Sequence, residues 1–289
     1  MQQRLFFERI RFGGTPIVWN YKGISREPIA GFYHWHPCCE LLLVHEGSGM
    51  VSVNSHTYTL ERGRLFFFPP FELHKVHVQI DRDRPYVRTV IHLEPELLAN
   101  DLQAFPSRRD LFLSLWKSPQ GTRCFDLGQE AGRVNDVCLQ YEETVMQGGG
   151  DRREEISLLL LQLLSSMKAV ERQLGDGRQR MMPRRYSERI MAWLDARYAD
   201  TFVLDQLAEE LHLSKYYVSR LFREETGSSM TEYLSARRIR QACHLLETTT
   251  LPVELIGAEV GLANTSHFIH SFKRATGLTP LQYRKSGSK

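Results

Sequence analysis

Leu204 to Gly227, LDQLAEELHLSKYYVSRLFREETG, decides how this chain is read. Leu204, Leu207, Ala208 and Leu211 recur at i, i+3, i+4 and i+7, which makes one apolar helical face. A polar break follows at His212. Ser214 then stands where an N-cap would accept a free backbone N–H, and Tyr217, Val218, Leu221 and Phe222 give a second helix its buried side. Gly227 stops that helix, because the C-terminal cap needs positive φ. Tyr216, Ser219, Arg220 and Arg223 project from the other face together, hydrogen-bonding tips above a cationic edge. Two helices at a tight corner, the second carrying such a face, suit the major groove of DNA.

About fifty residues on, the corner returns. Phe222-Arg-Glu-Glu-Thr-Gly227 reappears as Phe272-Lys-Arg-Ala-Thr-Gly277, and the cap Ser214 as Asn264. Val253, Ile256, Gly257 and Val260 repeat the first apolar face at an offset of forty-nine, so the second corner, Gly261 to Ala263, holds one extra residue. Two copies imply two reading heads. Between them a capping box, Ser229 with Glu232, opens a long helix carrying Tyr233, Leu234, Ala236, Ile239, Ala242, Cys243, Leu245 and Leu246. A helix of about eighteen residues spans about 27 Å, a length that holds two heads roughly one DNA turn apart.

Residues 187 to 285 resemble the DNA-binding domain of the AraC/XylS family of transcription regulators. The matching residues include Leu207-Ala208, Arg220-Leu221-Phe222, Thr226-Gly227, Arg238-Ile239, Leu245-Leu246, Val260-Gly261, Phe272-Lys273, Thr279-Pro280 and Tyr283-Arg284. Gly257, Leu262 and His270 depart from the family's usual Ala, Phe and Arg. The last removes a permanent cation from the second reading face, so that head is expected to read fewer bases or to read them in a pH-dependent way. Tyr216, Ser219 and Arg220 are expected to read bases in one groove and Ser266, His267 and His270 in the next, with Lys215, Arg223 and Lys273 on phosphates and Thr265 a further DNA-binding residue.

Composition agrees. Residues 178–289 hold 17 Lys and Arg against 12 Asp and Glu, whereas the remainder holds 20 against 22, so the basic half carries the corners. At 289 residues the chain is long enough for two cores. No run approaches eighteen apolar residues and MQQRLFFERIRF lacks a cleavage signal, which predicts a cytoplasmic protein with no membrane partner. Cys38, Cys39, Cys124, Cys138 and Cys243 form no metal-finger spacing.

Residues 1 to 93 read as short strands: Ile17 to Trp19, Glu40 to Val44, Gly49 to Val53, Thr57 to Leu60, Leu65 to Phe68 and Tyr86 to Leu93. His34-Trp-His36-Pro-Cys-Cys-Glu40 with Gly47, then Gly63, Pro69 and His74, resembles the two motifs of the cupin barrel; Phe71 stands where a cupin usually has Gly. His34, His36 and Glu40 share strand parity and point into one lumen if Pro37 keeps the register, and His74 can join them. Three imidazoles and a carboxylate suit a divalent Fe, Mn, Ni or Zn ion. The other reading is a metal-free polar lining for an organic effector, a sugar among the candidates, with Trp35, Tyr58, Phe67 and Phe71 as pocket wall. No cofactor is required for DNA reading itself.

Leu127, Ala131, Val134, Cys138, Tyr141 and Val145 predict a helix packed along a partner, and residues 151–173 a second helix apolar over most of its surface. That second helix either lies between the barrel and its neighbour or completes a homodimer, the arrangement the family resemblance implies. GDGRQRMMPRRYS, 175–187, reads as a mobile basic linker.

The expected architecture is therefore α+β in two domains: 1–174, a cupin-like double-stranded β-helix barrel with appended helices for effector binding and dimerisation; and 188–289, all-α with two helix-turn-helix motifs. The expected function is a transcription regulator, by resemblance an activator, that binds promoter DNA, a small-molecule effector and RNA polymerase. A cupin dioxygenase or isomerase tethered by its helical tail is the competing reading; a non-enzyme is the expectation, because enzymatic use leaves both reading heads idle.

Overall fold

The computed structural model describes residues 6–27, 29, 31–80, 85–118, 121–148, 151–174, 186–226 and 228–287. The N-terminal half is built on eight strands: β1 Ile17–Ser25, β2 Cys39–Glu46, β3 Ser48–Val53, β4 His56–Leu60, β5 Arg64–Phe68, β6 His74–Gln79, β7 Tyr86–Leu93 and β8 Cys124–Asp126. They form two antiparallel sheets, ordered β1-β7-β2-β5-β8 and β4-β3-β6. The expected barrel is thus a pair of facing sheets and not one continuous hydrogen-bonded cylinder among the described residues. Among the described residues β2 pairs with β5 and β7, β3 pairs with β4 and β6, and isolated bridges at Ile29–Val78 and His34–His74 link further chain to the small sheet.

Strand alternation separates two cores. Leu41, Leu43, Leu65, Phe67, Ile91 and Leu93 face the helices, while Leu42, Val44, Phe66 and Phe68 face Val51, Val53, Leu60 and Val78 of the small sheet. Helices α1 Pro95–Asp101, α2 Pro106–Lys117, α3 Glu130–Gln147 and α4 Arg152–Leu174 cover the first face. α4 buries Ile156, Leu159, Leu160, Leu163, Leu164, Met167 and Val170 within this chain, whereas Leu158 is exposed. The helix is therefore one-sided, and its apolar stripe already has an intramolecular partner.

The C-terminal half comprises α5 Tyr186–Ala196, α6 Leu204–Leu211, α7 Lys215–Thr226, α8 Met230–Thr248, α9 Val253–Glu259, α10 Thr265–Thr276 and α11 Pro280–Gly287. α5 begins at Tyr186, inside the expected linker; residues 175–185 of that linker and the Gly227 stop lie outside the described residues. The halves share a core. Phe7, Tyr33, Trp35 and Leu73 belong to the same apolar cluster as Ile190, Met191, Phe222, Tyr233 and Tyr283. Trp35, expected in the pocket wall, is instead fully buried in this seam near Phe6 and Phe7. Phe67 packs edge-on near Phe112 on the helical side and lines no space between the sheets. Phe71, in the position a cupin gives to Gly, has φ of 60° and packs against the seam. All five cysteines are free and buried, and no helix among the described residues is long and apolar enough to cross a membrane.

Candidate functional site

Both corners are built by local capping. In the first, His212 ends α6 with φ of 55°, and the Leu213 N–H donates to Ala208 O at 3.0 Å. In the second, Gly261 does the same with φ of 75°, and the Leu262 N–H donates to Gly257 O at 2.8 Å. Leu213 and Leu262 correspond, so the extra residue of the second corner is Ala263. The recognition helices are capped alike: the Tyr217 N–H donates to Ser214 Oγ at 3.2 Å, and the His267 N–H to Asn264 Oδ1 at 2.9 Å. α8, with both halves of its capping box formed, is about 28 Å long at 1.5 Å per residue.

α7 buries Val218, Phe222 and Thr226 and exposes Lys215, Tyr216, Arg220 and Arg223, with Ser219 half-buried. Tyr216 is 78% exposed, an unusual position for so large a ring unless it meets something. Tyr217, assigned by periodicity to the buried side, is 38% exposed, and the Arg220 guanidinium lies 5.6 Å from its ring centre. Tyr217 thus joins the exposed face of α7; its phenol, a polar tip on an apolar body, was the signal. Lys215 pairs with Asp205 at 2.8 Å, and that carboxylate raises its pKa. α10 buries Phe268, Phe272, Ala275 and Thr276 and exposes Ser266, His267, His270 and Lys273, with Thr265 half-buried. Ile269 and Arg274 are exposed beside them, and neither stood out in the sequence.

The second candidate site lies in the N-terminal half. His34 sits in the bridge to His74, the chain bends at Pro37 and Cys38, and Glu40 follows on β2, so the strand is broken where the register was at risk. The four side chains converge nonetheless: one donor atom from each of His34, His36, Glu40 and His74 lies within 4.8 Å of the others. Each imidazole is aimed by its far nitrogen. Nδ1 of His34 donates to Phe32 O at 3.1 Å, that of His36 to Cys38 O at 2.9 Å, and that of His74 to Glu72 O at 2.8 Å. This arrangement leaves Nε2 of His36 and His74 facing Glu40, while Nε2 of His34 lies 3.7 Å from Glu8 Oε2.

Glu40 Oε2 is 2.8 Å from His36 Nε2, 3.6 Å from His74 Nε2 and 3.4 Å from His92 Nε2. His92 was missed in the sequence, because only the β2–β7 register, which pairs it with Glu40, brings it in. Burial opposes the charge on Glu40, but the His36 hydrogen bond and the neighbouring His74 and His92 imidazoles outweigh it and hold the carboxyl well below its usual range. Burial likewise opposes the His36 imidazolium, and its bonds to Cys38 and Glu40 overcome that and raise its pKa to about 10. His34 is driven down to about 3 by burial and by His74.

These residues fit a first-row divalent ion. Bonds of about 2.0–2.2 Å place ligand atoms about 3 to 4 Å apart, near the spacing seen; the Nδ1 bonds are the orienting contacts metal-ligating histidines use. His74 Nε2 is buried and has no hydrogen-bond partner among the described residues. Beyond it, Phe68 stacks on His74 with centroids 4.2 Å apart, followed by Phe66 and then Tyr58, so Tyr58 is the one aromatic of the expected pocket wall that lies between the sheets.

Residues 26–179 match the family model of the AraC-like ligand binding domain, and residues 207–286 that of a helix-turn-helix domain. The chain belongs to the AraC family of transcription regulators. Among its relatives are the HTH-type transcriptional activators RhaR of Enterobacter sp. strain 638, 27% identical over 89% of this chain and 88% of the relative, and of Escherichia coli, 26% identical over 88% and 87%. Among solved structures, apo ToxT from Vibrio cholerae is similar over 95% of this chain and 99% of its own, at 12% identity and a TM-score of 0.41. This AraC-family chain therefore joins an effector-binding domain to a helix-turn-helix domain, and its relatives are transcription regulators.

Proposed function

We propose that this AraC-family regulator is a transcriptional activator whose effector is bound by His34, His36, Glu40 and His74, and that the effector includes a divalent metal ion. The observation that carries the reading is three buried or half-buried imidazoles, each held at Nδ1 by a backbone carbonyl, that converge with the buried Glu40 carboxylate so that one donor atom from each lies within 4.8 Å of the others. His34, His36, Glu40 and His74 would hold the ion, which would supply a fixed positive charge; the protein's part is to orient the three imidazoles through their Nδ1 bonds to backbone carbonyls. In this reading Tyr216, Ser219 and Arg220 read bases in one groove and Thr265, Ser266, His267 and His270 in the next, while Lys215, Arg223 and Lys273 hold phosphates. Domain limits of 1–174 and 188–289 about a 175–187 linker serve this division of labour, with α5 opening two residues early. The protein works in the cytoplasm, on promoter DNA beside RNA polymerase, as a homodimer in which exposed Leu139, Met146 and Leu158 of α3 and α4 meet a second copy.

Elemental analysis of untagged protein, paired with a thermal-shift screen, tests the effector. Stoichiometric metal, and stabilisation by added Mn²⁺ that a chelator reverses, support the reading. A metal-free protein stabilised by a sugar or another small metabolite supports the second reading, an organic effector held by the polar lining of His34, His36, Glu40 and His74.

A further inference from the structure

We infer that ligand occupancy of the His34, His36, Glu40 and His74 cluster is passed to the DNA-binding half by the two segments 33–36 and 72–75, which carry the cluster on one side and the interdomain seam on the other. The inference rests on the reading of the cluster as a ligand site and adds how that site regulates.

The two ligand histidines are themselves the ladder. His34 N–H donates to His74 O at 2.9 Å, and His74 N–H returns a bond to His34 O at 3.0 Å. Extended chain alternates its side chains, so the neighbours of these histidines must point the other way. They do, into the DNA-binding half. Tyr33 and Trp35 flank His34; Leu73 and Lys75 flank His74; all four are buried. The Tyr33 ring meets Tyr233 of α8 edge-on with centroids 5.0 Å apart, and its hydroxyl reaches Met191 Sδ of α5 at 3.5 Å. Lys75 Nζ donates to Ser228 Oγ at 2.6 Å, in the turn that joins recognition helix α7 to the rod α8. Trp35 packs with Phe7, which packs with Tyr283, a ring in contact with Phe272 of the second recognition helix.

A polar route runs alongside. His74 Nδ1 is tied to Glu72 O, and the Glu72 carboxylate accepts from Arg123 Nε at 2.6 Å and from Asn54 Nδ2 at 2.9 Å. Asn54 Oδ1 accepts in turn from Arg240 Nη1, on the rod, at 2.7 Å. Any ligand that repositions an imidazole by its Nε2 therefore pulls on a carbonyl through Nδ1 and on the peptide planes that hold the seam residues. A close-packed interior does not absorb such a shift locally. A seam that served only to dock the two halves would be indifferent to the cluster, and that is the alternative the experiment separates.

The test uses the full chain, an operator selected from random DNA, and Mn²⁺ as the probe. Calorimetry gives Mn²⁺ affinity, and fluorescence anisotropy gives DNA affinity with Mn²⁺ or with chelator, for wild type, Lys75→Met and Asn54→Ala. Wild type should change its DNA affinity at least about fivefold on Mn²⁺ addition, whereas the variants bind Mn²⁺ within about threefold of wild type yet respond less than about twofold. A full response in both variants overturns the route and leaves the metal site standing. Binding of Mn²⁺ to wild type with no change in DNA affinity does the same. No Mn²⁺ binding to wild type removes the site reading and the inference with it. Hydrogen exchange on wild type covers the case of a variant that fails to fold. Slower exchange of Leu73 to Val76 and Ser228 to Tyr233 on Mn²⁺ addition is the expected result; exchange unchanged there while Mn²⁺ is bound overturns it.

Discussion

Trp35 offers the most direct probe of the seam, because the sequence reading put it in the pocket wall and the structure buries it between the two halves. The indole is completely buried, packs beside Phe6 and Phe7, and its Nε1 has no hydrogen-bond partner among the described residues. Trp35→Ala removes the whole ring from a packed core, a change that costs about 3–5 kcal/mol. Trp35→Phe is different. It leaves a small void costing about 1–2 kcal/mol by the same cavity argument, but it also deletes a buried unpaired N–H whose desolvation penalty is about 1–3 kcal/mol. The two effects oppose, so Trp35→Phe should lie within about 1 kcal/mol of wild type. Guanidinium denaturation followed by far-ultraviolet circular dichroism measures both, and Mn²⁺ calorimetry on the same samples separates stability from ligand binding. Because Trp35 joins strands to helices, Trp35→Ala should lower the stability of the two halves together. A Trp35→Ala protein as stable as wild type but with Mn²⁺ or effector affinity reduced about tenfold or more would refute the reasoning, since that is how a pocket-wall residue behaves.

Other expectations follow from single residues. Arg220→Ala should cost about 1–3 kcal/mol of DNA binding and relax specificity at one base position; a uniform loss across sequences would make it a phosphate contact. His270→Ala should blunt discrimination less than Arg220→Ala does in the same binding assay, and equal losses would contradict the weaker second head. Gly261→Ala should unfold the second corner, because φ is 75° and the added Cβ would lie 2.3 Å from Ala199 O; loss of cooperative melting in the helical half checks it. His212→Gly, at φ of 55°, should raise stability by about 1 kcal/mol by removing a left-handed non-glycine residue, as read by denaturant midpoint. Burial, with Lys22 and Arg62 nearby, lowers the His45 pKa to about 4. A histidine depressed on folding contributes stability above its unfolded pKa of about 6.5 and loses it as pH falls through about 4. His45→Gln should flatten the stability profile between those values, and an unchanged profile counts against the assignment.

The paired corners were legible because capping is local: Ser214, Asn264, Ser229 and Glu232 act on N–H groups three residues away. The histidine cluster was legible from spacing too, even though Pro37 interrupts the strand, since the bend still returns Glu40 to the same side. What alternation could not supply was the identity of the opposite side. His34 and His36 facing inward already placed Trp35 outward, yet only the tertiary arrangement reveals that outward means the DNA-binding half. Phe67 shares parity with Leu41 and Leu43 only through the β2–β5 register, and His92 joins Glu40 only through β2–β7. Those pairings are non-local, as is the choice of β3 to pair with β6 instead of closing a barrel.

The central claim is that two corners on one rod grip the same duplex. Hydroxyl-radical footprinting of the full chain on a selected operator tests it, with and without five base pairs inserted between the half-sites. Two protected patches about one helical turn, 10–10.5 base pairs, apart on one face, with binding weakened about a hundredfold by the insertion, are the predicted result. A single patch, or an insertion tolerated without loss, would contradict the account.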